Sequence, residues 1–317
     1  MEYLDNRILW TNDKVTIDIN KLTIMKTKIL DVVKYLDETF HPEYQEDYDN
    51  SGFLLGRGES EFRGALVALD LTEDVVDEVL QYGCFNLIVT HHPFIFHGIK
   101  RLTGDDETSR LVWKLIQNDI AVYAAHTNLD NLPWGVSGIL AEKLGLRNCH
   151  ILQQKETACG ISHNLPEELL TAIEDEIPLQ YKELISSDEV GFGMVGELPD
   201  AVECDLFLQH VKKVIGLPMV RTSHHDPRTL VKRVALCGGA GSDFIGGAMA
   251  ACADLYLTAD LKYHDFQRSN GRMVLADIGH YESEQFAKRI IFRVISRKFC
   301  NFAVRISERQ HSLVQYI

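Results

Sequence analysis

Short apolar runs alternate with amphipathic segments along most of this chain. The clearest run covers residues 87–90, which are all apolar or β-branched. Such a run predicts a strand that is buried on both faces, as in a parallel sheet. A second run over residues 65–69 precedes it, and between the two lies a helix that Thr72 can cap. Because the runs flank one helix, they predict a right-handed β-α-β unit.

The other elements are predicted in the same way, from apolar positions that recur with helical or strand period. The buried stripes of the first three helices are expected at Ile29, Val32, Val33 and Leu36, at Val75, Val76, Val79 and Leu80, and at Leu111, Val112, Leu115 and Ile116. Further helices are predicted over 136–144, 167–174, 204–215 and 244–252 and from Tyr281 onwards, and further strands over 120–125, 190–198, 234–237, 255–258 and 273–276.

Two stretches late in the chain resemble the first β-α-β unit. Residues 234–237 match 67–70, and residues 252–258 match 84–90. The glycine-rich residues 238–241 are interpreted as a tight turn in the second copy. The alternative is chance similarity between two buried units. The predicted fold class is α/β, with duplicated β-α-β lobes, mixed sheets flanked by helices, and a site between the lobes at strand carboxyl ends.

The hydrophobic pattern divides the chain into four parts. Residues 1–24 are expected to form an N-terminal extension, because the apolar pattern of the core begins after Met25. Residues 25–145 are predicted to form an N-terminal α/β lobe, and residues 231–317 a C-terminal α/β lobe that completes the site. The middle segment, 146–230, contains some predicted elements, but its pattern does not predict how they are arranged.

Composition limits the partners and the compartment. The chain has 317 residues and a formal net charge of -14, with 46 acidic and 32 basic residues. This balance argues against a broad nucleic-acid surface and against binding to an anionic membrane. Seven cysteines occur without a C-x-x-C pair, and neither a secretory signal nor an apolar run of about 18 residues is recognisable. We therefore expect a cytoplasmic protein.

A pair of histidines marks the first candidate site. His91 and His92 end the predicted strand over 87–90, at the edge of a parallel sheet where α/β proteins place their sites. Neighbouring strand residues point to opposite faces, but at a strand end the chain can turn and bring both rings together. A second pair, His224 and His225, follows no predicted strand and lies among turn residues, which favours a loop over a metal site.

Further imidazoles and carboxylates follow other predicted strands. His280 and Glu284 are four residues apart at a helix start, so their side chains share one face. The full candidate set is His91, His92, His126, Asp130, Asp260, His264, His280 and Glu284. Imidazole with carboxylate suits Zn²⁺, Mn²⁺ or Fe. Five members of this set are good candidate ligands, which is more than one catalytic zinc takes from a protein. This favours two divalent metal ions per chain.

Several of these motifs resemble the Nif-three-like family, whose members are labelled GTP cyclohydrolase 1 type 2 homologs. The similar blocks are 91–94, 126–130 and 279–284, with 49–52 and 258–264 as two more. Tyr48 stands where the family often has Trp, and Asp260 where many members have Glu. The resemblance runs from about Met25 to the C-terminus and is loose over 146–230.

The resemblance implies a dinuclear metal centre and a ring-shaped homohexamer. By position, His92 and Asp130 would bind one metal, His91 and His280 the other, and Glu284 would bridge them. His126 would help to orient the metal ligands without binding a metal ion itself. Asp260 and His264 would line the pocket, with His264 as the candidate for proton transfer.

Three functions are compatible with such a chain. The first is a two-metal hydrolase of a small or nucleotide-like substrate, in which a metal-bridging water is the nucleophile and Glu284 and His264 are catalytic. The second is a non-catalytic metal-binding protein that regulates or binds a partner, and the third is a metal chaperone or storage module. No P-loop of the G-x-x-x-x-G-K-[ST] type occurs.

Overall fold

Residues 26–155 and 189–317 are the part of the chain that this computed structural model describes. The predicted N-terminal extension and the helix over 167–174 lie outside the described residues. The strands are β1 Gly52–Leu55, β2 Gly64–Ala68, β3 Leu87–Thr90, β4 Ala121–Ala124, β5 Arg147–Gln154, β6 Gly191–Glu203, β7 Arg221–Thr222, β8 Leu230–Ala240, β9 Leu255–Ala259, β10 Val274–Asp277 and β11 Ala303–Ile306. The helices are α1 Ile29–Phe40, α2 Glu73–Tyr82, α3 Glu107–Gln117, α4 Thr127–Asp130, α5 Val136–Lys143, α6 Cys204–Ile215, α7 Ile245–Ala250, α8 His280–Glu284 and α9 Ala287–Lys298.

The described strands form two mixed sheets, as the sequence predicts. The first has the order β1-β4-β3-β2-β11, and the second β5-β6-β8-β9-β10-β7. In the first sheet β2, β3, β4 and β11 are parallel and only the edge strand β1 is antiparallel. The second sheet has a parallel centre, β8-β9-β10, with antiparallel strands on both sides. Both therefore place the carboxyl ends of their central strands at one edge.

The central strands of the first sheet are buried on both faces because helices cover both. Val67 and Val89 face the core formed with α1 and α9, while Leu66 and Ile88 face the core formed with α2 and α3. This explains why β3 is a continuous apolar run rather than an alternating one. The second sheet is covered by α5 and α6 on one face and by α7 on the other.

Both of the β-α-β units that resemble each other are parallel pairs in the structure. Ala68 pairs with Thr90 in the first unit, whereas Ala235 pairs with Tyr256 in the second. The sequence match would pair Ala235 with Thr258, so the register differs by two residues. A shift of two leaves every side chain on the same face, which is why the patterns still match.

The last part of the chain returns to the first sheet. After α8, helix α9 packs its residues Ile291 and Val294 into the core around β2 and β3. Strand β11 then pairs with β2 in parallel. The described parts of the middle segment, in contrast, supply β5, β6 and β7 to the second sheet.

Three details of the predicted pattern are wrong. Leu80 and Ile116, expected on buried helix faces, are 39% and 52% exposed. Each lies at the edge of its stripe, directly after a buried residue, Val79 or Leu115, so that the rotation of the helix turns it away from the core. Residues 238–240 belong to β8 rather than to a tight turn, and the chain leaves the strand only at Gly241. No helix in the described part of the chain combines the length and apolarity needed to cross a membrane.

A buried carboxylate on α2 joins the C-terminal segment to the first sheet, and it gives a test of the fold. Glu78 is 2% exposed and accepts hydrogen bonds from the Ser307 hydroxyl at 2.5 Å and the Glu308 amide at 3.1 Å. We expect Glu78→Ala to lower the free energy of unfolding by about 1–3 kcal/mol, because those donors lose their acceptor. Urea unfolding measures this.

The matched control for that measurement is Glu73→Ala on the same helix. Glu73 makes an exposed ion pair with Arg110 at 3.1 Å, and such pairs contribute about 0–1 kcal/mol. Equal unfolding midpoints for the two variants would contradict the structural role of Glu78.

Candidate metal centre

The site begins where β3 ends. The amides of His91 and His92 both donate to the carbonyl of Leu69, at 3.1 and 2.9 Å, so the chain after β3 stays attached to the end of β2. The two ring centroids lie 4.9 Å apart, but the Nδ1 atoms contact different neighbours. His91 Nδ1 lies 2.7 Å from the carbonyl oxygen of Ala125, on the β4 side. His92 Nδ1 lies 2.6 Å from Asp70 Oδ1, on the β2 side.

The end of β4 supplies the next two residues. His126 follows the strand, and its Nδ1 lies 2.7 Å from Asp49 Oδ1. The other oxygen of Asp49 accepts from the Thr127 amide at 3.1 Å, which fixes the start of α4. One turn later, Asp130 ends this short helix with its side chain 12% exposed.

The second sheet contributes its residues through α8, after β10. His280 and Glu284 lie on one turn, as the four-residue spacing predicts, and His280 Nε2 is 3.0 Å from Glu284 Oε2. His280 Nδ1 lies 2.7 Å from Asp260 Oδ2. Asp260 has a left-handed φ of 57° directly after β9, a conformation that Asp tolerates and that turns its carboxylate towards His280.

All four histidines share one arrangement. Each Nδ1 contacts an oxygen, from Ala125, Asp70, Asp49 or Asp260, so Nδ1 carries the proton and donates. Each Nε2 then lies on the opposite side of its ring, where it can bind a cation in exchange for any proton that it carries. Metal-binding histidines show this pattern, with a carboxylate or carbonyl behind the ring that fixes its tautomer and orientation.

The candidate donor atoms form three overlapping groups, and the atoms of one group all lie within 4.8 Å of one another. The groups are His91, His92 and His126; His92, His280 and Glu284; and His91, Asp130 and Glu284. His92 Nε2 lies 2.9 Å from Glu284 Oε2 and 3.3 Å from His280 Nε2. Donors that share one ion through bonds of about 2.0–2.2 Å lie roughly 3–3.6 Å apart. These buried imidazole and carboxylate groups can therefore bind metal ions.

Two unsatisfied atoms support the same conclusion. His91 Nε2 and Asp130 Oδ1 are buried without a hydrogen-bond partner among the described residues, and they lie 3.6 Å apart. That distance is too long for a hydrogen bond and suits two ligands of one cation. Buried polar atoms are rarely left unpaired, so the residues present fit a bound metal.

Negative charge dominates the site. Five carboxylates, from Asp49, Asp70, Asp130, Asp260 and Glu284, surround the four rings. Burial alone would lower the pKa of His92, yet Asp70 and Glu284 raise it to about 10. Burial also opposes charge on His280, but Asp260 and Glu284 raise its pKa to about 11. Burial and the Glu284 carboxylate raise the pKa of Asp130 well above its ordinary value. The site thus favours cations.

Which ion each candidate ligand binds stays a prediction. The donor atoms lie in a different arrangement from the family-based pairing: His91 Nε2 is 3.6 Å from Asp130 Oδ1, and His92 Nε2 is 3.3 Å from His280 Nε2. The reason is the alternation at the strand end, which directs His91 towards β4 and α4 and His92 towards β2 and α8. His126 also shares a group with His91 and His92, so its ring is as close to the centre as theirs.

Two glycines of β8 make room for Glu284. At Gly239, with φ of 65°, a β-carbon would lie 1.9 Å from Glu284 Oε1. At Gly238 it would lie 2.5 Å from the Val136 side chain at the start of α5. The glycines therefore allow the backbone of the second sheet to approach the carboxylate, at a point where the pairing of β8 with β9 is irregular between Leu236 and Ala240.

The remaining candidates lie apart from the groups. His264 is exposed and belongs to none of the three groups, so its role in proton transfer stays a prediction. In the second histidine pair, His225 lies near Cys204 and Asp205. Both of its ring nitrogens already have partners, the Ser223 carbonyl and Asp205 Oδ1, each at 2.9 Å.

Sequence reasoning missed two carboxylates that orient the rings. Asp70 follows β2 as His91 follows β3, so the rule that found the histidines applies to it as well. Asp49 lies in a loop before β1, and only its place in a family-like block drew attention to it. No local pattern shows that either residue contacts a histidine ring.

Comparison with known proteins shows the family of this chain. A family model described as Duf34/NIF3 (NGG1p interacting factor 3) matches residues 27–312. The chain belongs to this family. A GTP cyclohydrolase 1 type 2 homolog of Clostridium perfringens is 31% identical, over 81% of this chain and 87% of that protein. Its counterpart in Staphylococcus epidermidis is 29% identical, over 80% of this chain and 89% of that protein.

Solved structures share the fold of this Duf34/NIF3 member. A Bacillus cereus protein related to NIF3 superposes with a TM-score of 0.77 at 23% identity, over 92% of this chain and all of that one (100%). A hypothetical protein of Staphylococcus aureus superposes with a TM-score of 0.75 at 29% identity, over 92% of this chain and 99% of that one. The two mixed sheets flanked by helices are therefore the fold of the family.

The close approach at Gly239 gives a test of the site. We expect Gly239→Ala to weaken metal binding by about 10–100-fold, because the new methyl group displaces the Glu284 carboxylate. Gly246→Ala is the control, since a β-carbon there meets nothing within 4 Å. Isothermal titration with Zn²⁺ measures both variants, and equal affinities would show that Glu284 is not confined by β8.

Proposed function

We propose that this Duf34/NIF3 protein binds two divalent metal ions per chain and hydrolyses a small or nucleotide-like substrate. The observation that carries the proposal is the position of Glu284. It is 3% exposed and belongs to two of the three donor groups. Its Oε2 lies 2.9 Å from His92 Nε2, 3.0 Å from His280 Nε2 and 3.8 Å from His91 Nε2, so one oxygen faces donor atoms of both groups. A carboxylate with two oxygens in this position suits a bridge between two cations.

The carboxylates that contact Nδ1 of the histidine rings orient those rings for binding such ions. Asp49, Asp70 and Asp260 hold the Nδ1 protons of His126, His92 and His280, and so keep each Nε2 free to bind. Two divalent ions, Zn²⁺, Mn²⁺ or Fe, would lower the pKa of a bound water and stabilise the negative charge that develops during hydrolysis.

The site has a closed side and an open side. His91 is fully buried, at 0% exposure, whereas the side chains of His92 and His280 are 22% and 35% exposed. A substrate would therefore approach over His92 and His280. Opening on one side supports a catalytic centre more than a closed structural site.

Aromatic rings border the site near His126. The Phe96 ring centroid lies 6.1 Å from that of His126, and Tyr48 lies 6.5 Å from Phe96. Both rings are exposed, at 37% and 63%. Exposed aromatic side chains beside a polar centre are typical of small-molecule sites, where they contact the apolar or planar part of a ligand. This supports a ring-containing substrate.

The metal proposal is tested by elemental analysis of loaded, dialysed protein. We expect two divalent ions per chain, and we expect Glu284→Gln to lose at least one, because an amide bridges cations poorly. His91→Ala should also lose one. His150→Ala, which changes an exposed histidine outside the three groups, is the control. Saturation at one ion per chain, unchanged in His91→Ala, would refute a dinuclear centre.

The hydrolase proposal is tested by a broad substrate screen with metal-loaded protein, using Glu284→Gln as the blank. A true substrate should lose turnover by orders of magnitude in that variant. If His264 transfers a proton, His264→Ala should keep both metals and slow turnover by roughly 10²–10⁴-fold. Metal-loaded protein with no activity on any substrate class would favour a non-catalytic metal-binding role.

Assembly and compartment are part of the same proposal. The family resemblance supports a homohexamer, and seven cysteines without a C-x-x-C pair support a reducing cytoplasm.

A further inference from the structure

The C-terminal segment after β11 runs along the edge of the first sheet towards the metal centre. The Ser307 amide continues the pairing with β2 by donating to the Val67 carbonyl at 2.8 Å. Glu78 then holds Ser307 and the next two residues through their hydroxyl and amide groups. These hydrogen bonds fix the backbone of residues 307–309 and so determine where Gln310 lies.

Gln310 is the residue that this segment places behind the metal centre. It is 8% exposed, although glutamine is usually a surface residue. Its Nε2 donates to Asp70 Oδ2 at 3.0 Å, and its Oε1 accepts from the Leu69 amide at 2.5 Å. The two partners fix the amide orientation, because a flipped amide would set oxygen against carboxylate and N–H against N–H.

Asp70 connects Gln310 to the metal-binding atoms. One oxygen of Asp70 accepts from Gln310, and the other lies 2.6 Å from His92 Nδ1. Nε2 of the same ring lies 2.9 Å from Glu284 Oε2. A continuous chain of contacts thus runs from Gln310 through Asp70 and His92 to Glu284. Each contact restricts the orientation of the next side chain.

The same segment also reaches the other side of the centre. A β-carbon at Gly279, the residue before His280, would lie 3.1 Å from the Tyr316 hydroxyl. Gly279 has a positive φ of 77°, so position 279 combines an unusual backbone conformation with a close neighbour from the chain terminus. Residues 307–316 therefore pass behind His92 and end beside the start of α8.

We propose that Gln310 is a positioning residue of the metal centre, which orients Asp70 and through it the His92 ring. The inference rests on the proposed metal-binding function and adds to it a residue 26 positions beyond Glu284, the last candidate ligand in the sequence. The C-terminal segment is then part of the site, because without it Asp70 can rotate and the His92 ring loses its fixed direction.

The test compares two substitutions of Gln310 with a neighbouring control. Gln310→Ala removes both contacts, whereas Gln310→Glu keeps an acceptor for the Leu69 amide and sets a second carboxylate against Asp70. His311→Ala changes the next residue, which is exposed. Asp70→Asn serves as the reference for a His92 ring without its carboxylate.

Two quantities are measured on each full-length variant. Competition with a chromophoric chelator gives the Co²⁺ affinity of each site, and the visible absorption of bound Co²⁺ reports the ligand geometry. We expect both Gln310 variants to bind the more weakly held Co²⁺ ion roughly tenfold less tightly than the unmodified protein does. The absorption spectrum of that ion should shift in the same direction as it does in Asp70→Asn. His311→Ala should match the unmodified protein.

The outcomes separate this inference from the proposed function. Unmodified protein that binds no metal would overturn both. Unmodified protein that binds metal, together with Gln310 variants whose affinities and spectra equal those of His311→Ala, would overturn the positioning role alone. Gln310 variants that melt at lower temperature but keep the unmodified Co²⁺ spectrum and affinity would likewise show that Gln310 only stabilises the fold.

Discussion

The burial of one carboxylate, Glu284, is the constraint on which the rest of the site depends. A buried charge is costly unless opposite charge or hydrogen bonds compensate for it. Here three imidazoles from two sheets face it, His91, His92 and His280. Each ring can approach only because its other nitrogen is already paired. The outer carboxylates thus make the inner arrangement possible, and they also add negative charge that further favours cations.

The same constraint explains features of the fold that are otherwise unexpected. Glycines are unfavourable inside strands because they weaken the sheet. Strand β8 nevertheless has Gly238 and Gly239 where it passes α8, since any side chain at position 239 would occupy the volume of the carboxylate. The left-handed conformation of Asp260 serves the same arrangement from β9. Part of the local backbone cost of the fold, at Gly239 and Asp260, therefore lies at the candidate metal centre, as is common at functional sites.

The sequence predicts those parts of the structure that depend on local periodicity. Strand β3 has the predicted bounds, and α6 covers the predicted residues 204–215. Histidines at strand ends are recognisable because parallel strands bring their carboxyl ends together. The ligand pairing is not recognisable in this way, because it depends on which neighbouring strand each ring faces. The strand at Gly239 and the contact between Asp70 and His92 depend on atoms distant in sequence, which no window of residues contains.

The path of the chain joins the two halves of the centre. The first sheet supplies His91, His92, His126 and Asp130, and the second supplies His280 and Glu284 through α8. Directly after α8, helix α9 crosses to the core of the first sheet, and β11 pairs with β2. The two sheets therefore cannot separate without breaking the packing of α9 and the pairing of β11. Because the candidate ligands are divided between the sheets, the crossing that follows Glu284 helps to hold the donor groups together, as does the packing of α5 on β8, where the Gly238 amide donates to the Ser137 hydroxyl at 3.3 Å.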